Sequence, residues 1–329
     1  MIQSRSEASV LEEVRALSRT SDFGGVITDV GGPTANMYKL RCKDERTESA
    51  CRRLSCVHPR VCENLGTDHA PLLRLLARIR REKGVKRVFI ASGVRYDLAE
   101  RSPEFIRDLA AHHTGGQLSV APEHVDPRVL DKMKKPGIES YERFAEAFCR
   151  ASEKAGKEQY LVPYFITGHP GSTLRDTIDL ALYLKANDMR PRQVQDFIPT
   201  PMAVATAMYY TGIDPLTGEP VPVVRDLRQK RGLKALVFWW DPKHWELARE
   251  ALVQAGRRDL IGHGARCLVP PPGAERAGAS RWYNAKGEER AGSAAGGRAG
   301  NGQGRRQRRQ RGDAPREGAA STGARRRDR

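Results

Sequence analysis

Apolar residues recur at helical spacing from the first residues onward. Val10, Leu11, Val14 and Leu17 share one face, and Ser4 and Glu7 have the spacing of a capping box, so the chain opens on a helix. Residues 24–30 (GGVITDV) read as a strand. Asp68 then starts a helix carrying Leu72, Leu75, Leu76 and Ile79. KRVFIASG (86–93) is a strand, and Ser102-Pro103 opens a helix closed by Gly115-Gly116. QLSVAP (117–122) is a strand, and Asp126-Pro127 starts a short helix. A longer helix over 140–155 turns Phe144, Phe148, Ala151 and Cys149 inward. QYLVPYFITG (159–168) is a strand, 173–187 a helix with Ile178, Ala181 and Leu182 on its inner face, and RQVQDFIP (192–199) the last strand. Helices over 226–239 and 243–255 follow, supplying Phe238, Trp239, Trp240 and Trp245 to a core.

Strands alternating with helices predict a parallel sheet with helical crossovers. Five strands favour a partial or full β/α barrel over a doubly wound sheet. The chain opens on a helix with no strand before it, although such barrels normally begin with a strand; the expectation is a barrel lacking its first strand. The predicted organisation is a β/α barrel over 1–205 with an insertion at 38–67, a helical extension over 206–270, and a disordered tail over 271–329.

The tail carries much of the charge. It holds 15 Lys+Arg against 6 Asp+Glu, a balance of +9 out of the chain's +17. It has no Val, Ile, Leu, Met or Phe, so it cannot bury enough apolar area to offset ordering entropy. Arg305, Arg306, Arg308, Arg309 and Arg311 would attract RNA or another polyanion through phosphate contacts; a solubilising tail is the alternative. No run approaches the ~18 apolar residues of a membrane span, and MIQSRSEASV lacks an apolar signal-peptide centre, which points to a cytoplasmic protein.

In parallel β/α folds ligands bind beyond the carboxyl ends of the strands. Each predicted strand here ends in a polar, Gly- or Pro-rich phrase: Gly31-Gly32-Pro33-Thr34-Ala35-Asn36 after the first, Ser92-Gly93-Val94-Arg95-Tyr96-Asp97 after the second, and Ala121-Pro122-Glu123-His124 after the third. Gly168-His169-Pro170-Gly171-Ser172-Thr173 and Pro199-Thr200-Pro201-Met202 follow the other two. Any one phrase is ordinary turn chemistry; five on one face predict a shared pocket. Gly31 and Gly32 let a ligand approach the backbone. Arg95 suits a carboxylate, unless Asp97 takes it as a structural partner. Glu123 suits ribose hydroxyls, and His169 could bond, bind metal or move a proton.

The 38–67 insertion holds four of the six cysteines, Cys42, Cys51, Cys56 and Cys62, with His58 as a substitute ligand. In a reducing compartment such a set suits zinc or an auxiliary iron–sulfur cluster, with free thiols as the alternative. Arg41, Lys43, Arg52 and Arg53 would favour thiolates.

Together, IQSRSEASVLEEV, TDVGGPTANMYKLRC, IASGVRYDLAERSPEF, VAPEHVDPRVLDKMKKPG, YLVPYFITGHPGST, VQDFIPTPMAVATAMYYTG and DLIGHGARCLVP resemble the radical SAM superfamily, specifically its YgiQ-type branch, over residues 2–270. The resemblance implies a partial (β/α)6 barrel and a 4Fe-4S cluster on a Cys-x3-Cys-x2-Cys loop. That cluster takes an electron from a donor and cleaves S-adenosylmethionine to a 5′-deoxyadenosyl radical, which abstracts a substrate hydrogen. It further implies that Gly31 and Gly32 contact the methionine amino group, that Ser119 and Glu123 lie where the ribose is held, and that Gly168 and His169 lie where the adenine approaches. Pro33 stands where the superfamily often has Glu. No Cys-x3-Cys-x2-Cys occurs here; in the family that loop precedes the IQSRS phrase, so the resemblance implies an N-terminally truncated member whose cluster ligands lie outside the chain. Two other readings fit the residues: a non-catalytic, metal-stapled nucleic-acid-binding protein using the cysteines and the tail, and a β/α-barrel hydrolase using His169 with Glu123 or Asp97.

Overall fold

A computed structural model describes residues 3–32, 34–191 and 194–273, together with the backbone of two short strands beyond them. In chain order the elements are α1 (Glu7–Ser18), β1 (Val26–Ile27), α2 (Glu45–Ala50), α3 (Ala70–Arg81), β2 (Arg87–Val88), α4 (Tyr96–Ala99), α5 (Pro103–Asp108), β3 (Gln117–Glu123), α6 (Pro127–Met133), α7 (Ile138–Lys154) and β4 (Tyr160–Thr167). Then come α8 (Leu174–Ala186), β5 (Val194–Asp196), α9 (Val204–Thr211), α10 (Leu227–Val237), α11 (Trp245–Gln254), β6 (Trp282–Tyr283) and β7 (Glu289–Arg290).

The alternation produces parallel pairing, as the helical crossovers require. β1 pairs with β2, Val26 opposite Arg87. β3, β4 and β5 form a three-stranded parallel sheet in that order. The chain beyond β2 meets β3 at Gly93: at φ +99, a Cβ there would lie 2.8 Å from the Ser119 carbonyl oxygen, so only glycine allows the approach. The fold is thus α/β with parallel strands.

Helix faces follow the apolar spacing. Leu72, Leu75, Leu76 and Ile79 of α3 pack with Leu11 and Val14 of α1 and with Phe144 and Phe148 of α7 in one core around β1–β3. A second core joins Ile178 and Ala181 of α8 to Leu236 and Trp239 and to Ala248 and Leu252 of α11. Phe238 and Trp239 are buried as expected of core aromatics.

Several expectations are corrected. The cap of α1 is Ser6, whose side chain accepts from Ser9 N, not a Ser4–Glu7 box. Ser4 Oγ instead accepts from Lys39 N at 2.9 Å, and Glu7 pairs with Lys39 and Arg78, so long-range partners outcompete the local box. The β1, β2 and β5 ladders are far shorter than the apolar runs suggest. Cys149 is exposed: Tyr141, Phe144, Phe148 and Ala151 form the inner stripe of α7, and Cys149 sits one residue, about 100° of helix, past Phe148. α2, α4 and α9 lie in stretches with no helix expected. In the expected disordered tail, the described backbone includes antiparallel β6–β7 pairing, Trp282 opposite Arg290; Arg305 through Arg311 lie outside the described residues. No helix among the described residues is long and apolar enough to cross a membrane.

Candidate functional site

Polar contacts link the end of β1 to that of β2, and the end of β4 to that of β5. At β1, Asp29 Oδ1 accepts from Ala91 N at 2.8 Å and from Ser92 N at 3.2 Å, and its other oxygen takes the Ser92 hydroxyl. Asn36, 1% exposed, makes the second link. Its Oδ1 accepts from Arg95 N at 2.7 Å and its Nδ2 donates to Arg95 O at 2.9 Å, so one amide holds both backbone groups of Arg95. The same Nδ2 lies 3.3 Å from His69 Nε2, and the His69 ring stacks on Phe105 at 4.7 Å. Asn36 was not singled out from sequence as a site residue; the signal available was an Asn inside the first polar phrase.

Arg95 is not a free guanidinium. Its Nε and Nη2 bond Asp97 at 2.9 and 2.5 Å, and Asp97 is buried. The structural pairing is the one that forms, which leaves Nη1 as the nitrogen outside that fork. At β3, Glu123 adopts φ +66, rare for a side-chain-bearing residue, where the β3–β4 register shifts between Val120 and Glu123. The bulge re-aims Glu123, whose carboxylate meets Lys135 Nζ at 3.0 Å while Lys135 also donates to Ala121 O.

Beyond β3 and β4 lie two buried imidazoles. His124 Nδ1 accepts from Asp126 N at 3.0 Å, and Nε2 has no partner. Burial pushes His124 down to about 4, against the opposing pull of Asp126 and Asp176. His169 donates from Nδ1 to Pro170 O at 2.7 Å and meets the Phe197 ring edge-on at 5.1 Å; burial lowers it as well. Both are neutral at pH 7. At β4 and β5, Thr167 Oγ1 donates to Asp196 at 2.9 Å. A cavity of about 430 Å³ opens beside the β4 tip, where Ser172 and Thr173 face Leu233 of α10 and Ala251 of α11.

The phrases after β1 and β2 are thus tied to one another, and β4 is tied to β5 through Thr167 and Asp196. Gly31, at φ +115, is required by the backbone: a Cβ would lie 2.7 Å from Ala35 Cβ. Around Gly32, apart from its chain neighbours, no atom of the described residues lies within 4 Å of where a Cβ would stand. Ser119 lends its backbone to the Gly93 contact. Pro33 lies outside the described residues.

The insertion does not form the expected metal site in the structure. Cys42, Cys51, Cys56 and Cys62 are free, and among the described residues no three His, Cys, Asp or Glu side chains are arranged to hold a metal ion. The expected help from basic neighbours is also corrected at Cys56. Burial, then the thiols of Cys62, Cys51 and Cys42, push it up, and only Arg53 opposes them.

The Radical SAM superfamily model matches residues 2–184, more than half the chain. The chain belongs to the radical SAM superfamily. A domain of unknown function, DUF3362, matches residues 192–328. UPF0313 protein RPA0679 of Rhodopseudomonas palustris is 52% identical over 85% of this chain and 43% of its own length. The UPF0313 proteins YgiQ of Salmonella typhimurium and Escherichia coli are 51% and 50% identical over 86% of this chain, and 40% and 39% of their own lengths. The chain thus spans about two fifths of the curated relatives it matches, in agreement with the YgiQ-type resemblance. The radical SAM membership gives nothing to the nucleic-acid or hydrolase readings.

Proposed function

We propose that this radical SAM chain supplies the S-adenosylmethionine-cradling strands of a partial (β/α)6 barrel. The observation that carries the proposal is the set of polar links at the strand ends, Asp29 to Ser92, Asn36 to Arg95 and Thr167 to Asp196, together with Glu123 held at φ +66 beyond β3. Backbone strain held at a strand tip by a bulge is the kind that a binding site retains. A bound 4Fe-4S cluster and S-adenosylmethionine supply reductive cleavage of the sulfonium carbon–sulfur bond. The cysteines of this chain do not suit that cluster, since Cys-x3-Cys-x2-Cys is absent. The residues do suit the nucleoside and amino acid parts. Gly32 leaves the backbone open to the methionine amino group. Glu123 accepts ribose hydroxyls, with Lys135 fixing its carboxylate. Neutral His169, its Nδ1 committed to Pro170, presents Nε2 as an acceptor to the adenine side. Asp97 takes the Nε–H and one N–H of Nη2 of Arg95, which leaves Nη1 and the second Nη2 N–H for a carboxylate.

Equilibrium binding of S-adenosylmethionine and of 5′-deoxyadenosine to the 329-residue chain tests this. Both should bind, and Glu123→Ala should weaken both by on the order of tenfold, the worth of one charge-assisted hydrogen bond. A folded chain that binds neither would overturn the reading.

A further inference from the structure

The turn over residues 56–62 begins and ends on a cysteine. Cys62 N donates to Cys56 O at 2.8 Å, so the two residues are joined directly through their own backbones. That bond limits how far apart they stand. With N–Cα at about 1.46 Å and the O···Cα span of a carbonyl at about 2.4 Å, their Cα atoms are no more than about 6.7 Å apart. Disulfides bridge Cα atoms about 4.4–6.8 Å apart, so the separation suits one. Among the described residues no other two cysteines are joined in this way.

The turn is seated on the rest of the fold. Val57, Val61 and Cys62 pack against Leu40, Leu65 and Leu98, and Leu65 N donates to Cys62 O at 3.0 Å. His58 Nε2 lies 3.0 Å from Asp131 Oδ1 of α6. Both sulfurs are free thiols, Cys56 exposed and Cys62 half-buried. An oxidant can therefore reach Cys56 while packing holds Cys62 in place. The electrostatics agree with the backbone: burial is the first cause that pushes the Cys56 thiol up, and Cys62 is the second, ahead of Cys51 and Cys42.

We propose that Cys56 and Cys62 are a modification site, a reversible disulfide that closes the 56–62 turn in exchange with a low-molecular-weight disulfide such as glutathione disulfide. The Cys56 thiolate attacks one sulfur of the oxidant, whose S–S bond breaks and releases one glutathione. The Cys62 thiolate then attacks the Cys56 sulfur, forms the protein S–S bond and releases the second glutathione. Two electrons pass from the protein thiols to the oxidant, and two protons, balancing those lost by the cysteines, end on the two glutathione thiols. Excess reduced glutathione reverses both steps. The closed turn contains Val57, His58 and Val61, so oxidation restrains the segment that seats the insertion on its small core and on Asp131 of α6.

The test uses the full 329-residue chain, first reduced and then equilibrated with mixtures of oxidised and reduced glutathione. Trypsin digestion without reductant should yield residues 54–60 (LSCVHPR) linked to residues 61–74. The folded chain should close at an oxidised-to-reduced glutathione ratio on the order of tenfold below that needed in urea, because the fold holds the two residues together. Cys56→Ser and Cys62→Ser should each remove the link, and Cys42→Ser and Cys51→Ser should leave it in place. No linked peptide at any ratio, a link from Cys56 to Cys42 or Cys51 instead, or closure at the same ratio in urea would each overturn the site. S-adenosylmethionine binding is measured on the reduced chain, so either proposal can fail alone.

Discussion

Asn36→Ala should cost the chain about 1–3 kcal/mol, read as a lowered urea midpoint. The cost follows from what the amide holds. Arg95 N–H has no ladder strand to meet, and Asn36 satisfies it in a buried setting, while Arg95 C=O accepts from Leu98 and Ala99 N as well as from Asn36. Removing the amide leaves the Arg95 N–H without a partner, at about 1–3 kcal/mol, partly offset by water entering the space, while Arg95 C=O keeps the N–H groups of Leu98 and Ala99. It also frees His69, whose Nδ1 already lacks a partner. Asn36→Asp separates the parts: the acceptor for Arg95 N persists, whereas the donor to Arg95 O is lost and a charge is buried. It should therefore be at least as destabilising at pH 7 as Asn36→Ala and recover as pH falls and the carboxyl gains its proton. A loss below about 1 kcal/mol for Asn36→Ala would show that the β1 and β2 tips are held by Asp29 alone.

The tips themselves were legible because Gly, Pro, Asp and Asn mark the end of a strand whatever surrounds it. Their linkage was not. Asn36–Arg95 joins residues whose proximity depends on strand order, and Glu123–Lys135 depends on how α6 returns to the end of β3; no local pattern encodes either. Helices with one apolar face, such as α3 and α7, were readable from spacing. α2 was not: Asp44 caps it by accepting from Arg46 and Thr47 N–H, yet its six residues bury nothing, so periodicity is silent. α9 reads VATAMYYT, rich in β-branched and aromatic residues that favour strands, and tertiary context overrides that preference. The pairing of Arg95 with Asp97 was open from sequence because a charge two residues away is equally a structural partner or a bystander. The geometry decides it by burying Asp97.

Acid should destabilise the fold through His124 before any carboxylate titrates fully. The ring is fully buried, and burial is the main cause that brings it from 6.5 to about 4. Below pH 6.5 the unfolded chain binds a proton here that the folded chain refuses. The stabilisation is therefore complete above pH 6.5, falls as pH drops toward 4, and levels off below that, a total on the order of 3 kcal/mol. Attractive charges on Asp126 and Asp176 and the like-charge influence of His169 are already contained in that balance. His69 and His169 are lowered by burial too and steepen the slope in the same direction. His124→Asn isolates the term. Its side-chain oxygen can still accept from Asp126 N, but it does not titrate. The variant should be less stable at pH 7, because a buried ring is lost, and its urea midpoint should change much less between pH 6.5 and 4. An unchanged slope would mean that His124 gains its proton readily in the fold, and that its unpartnered Nε2 has water beside it.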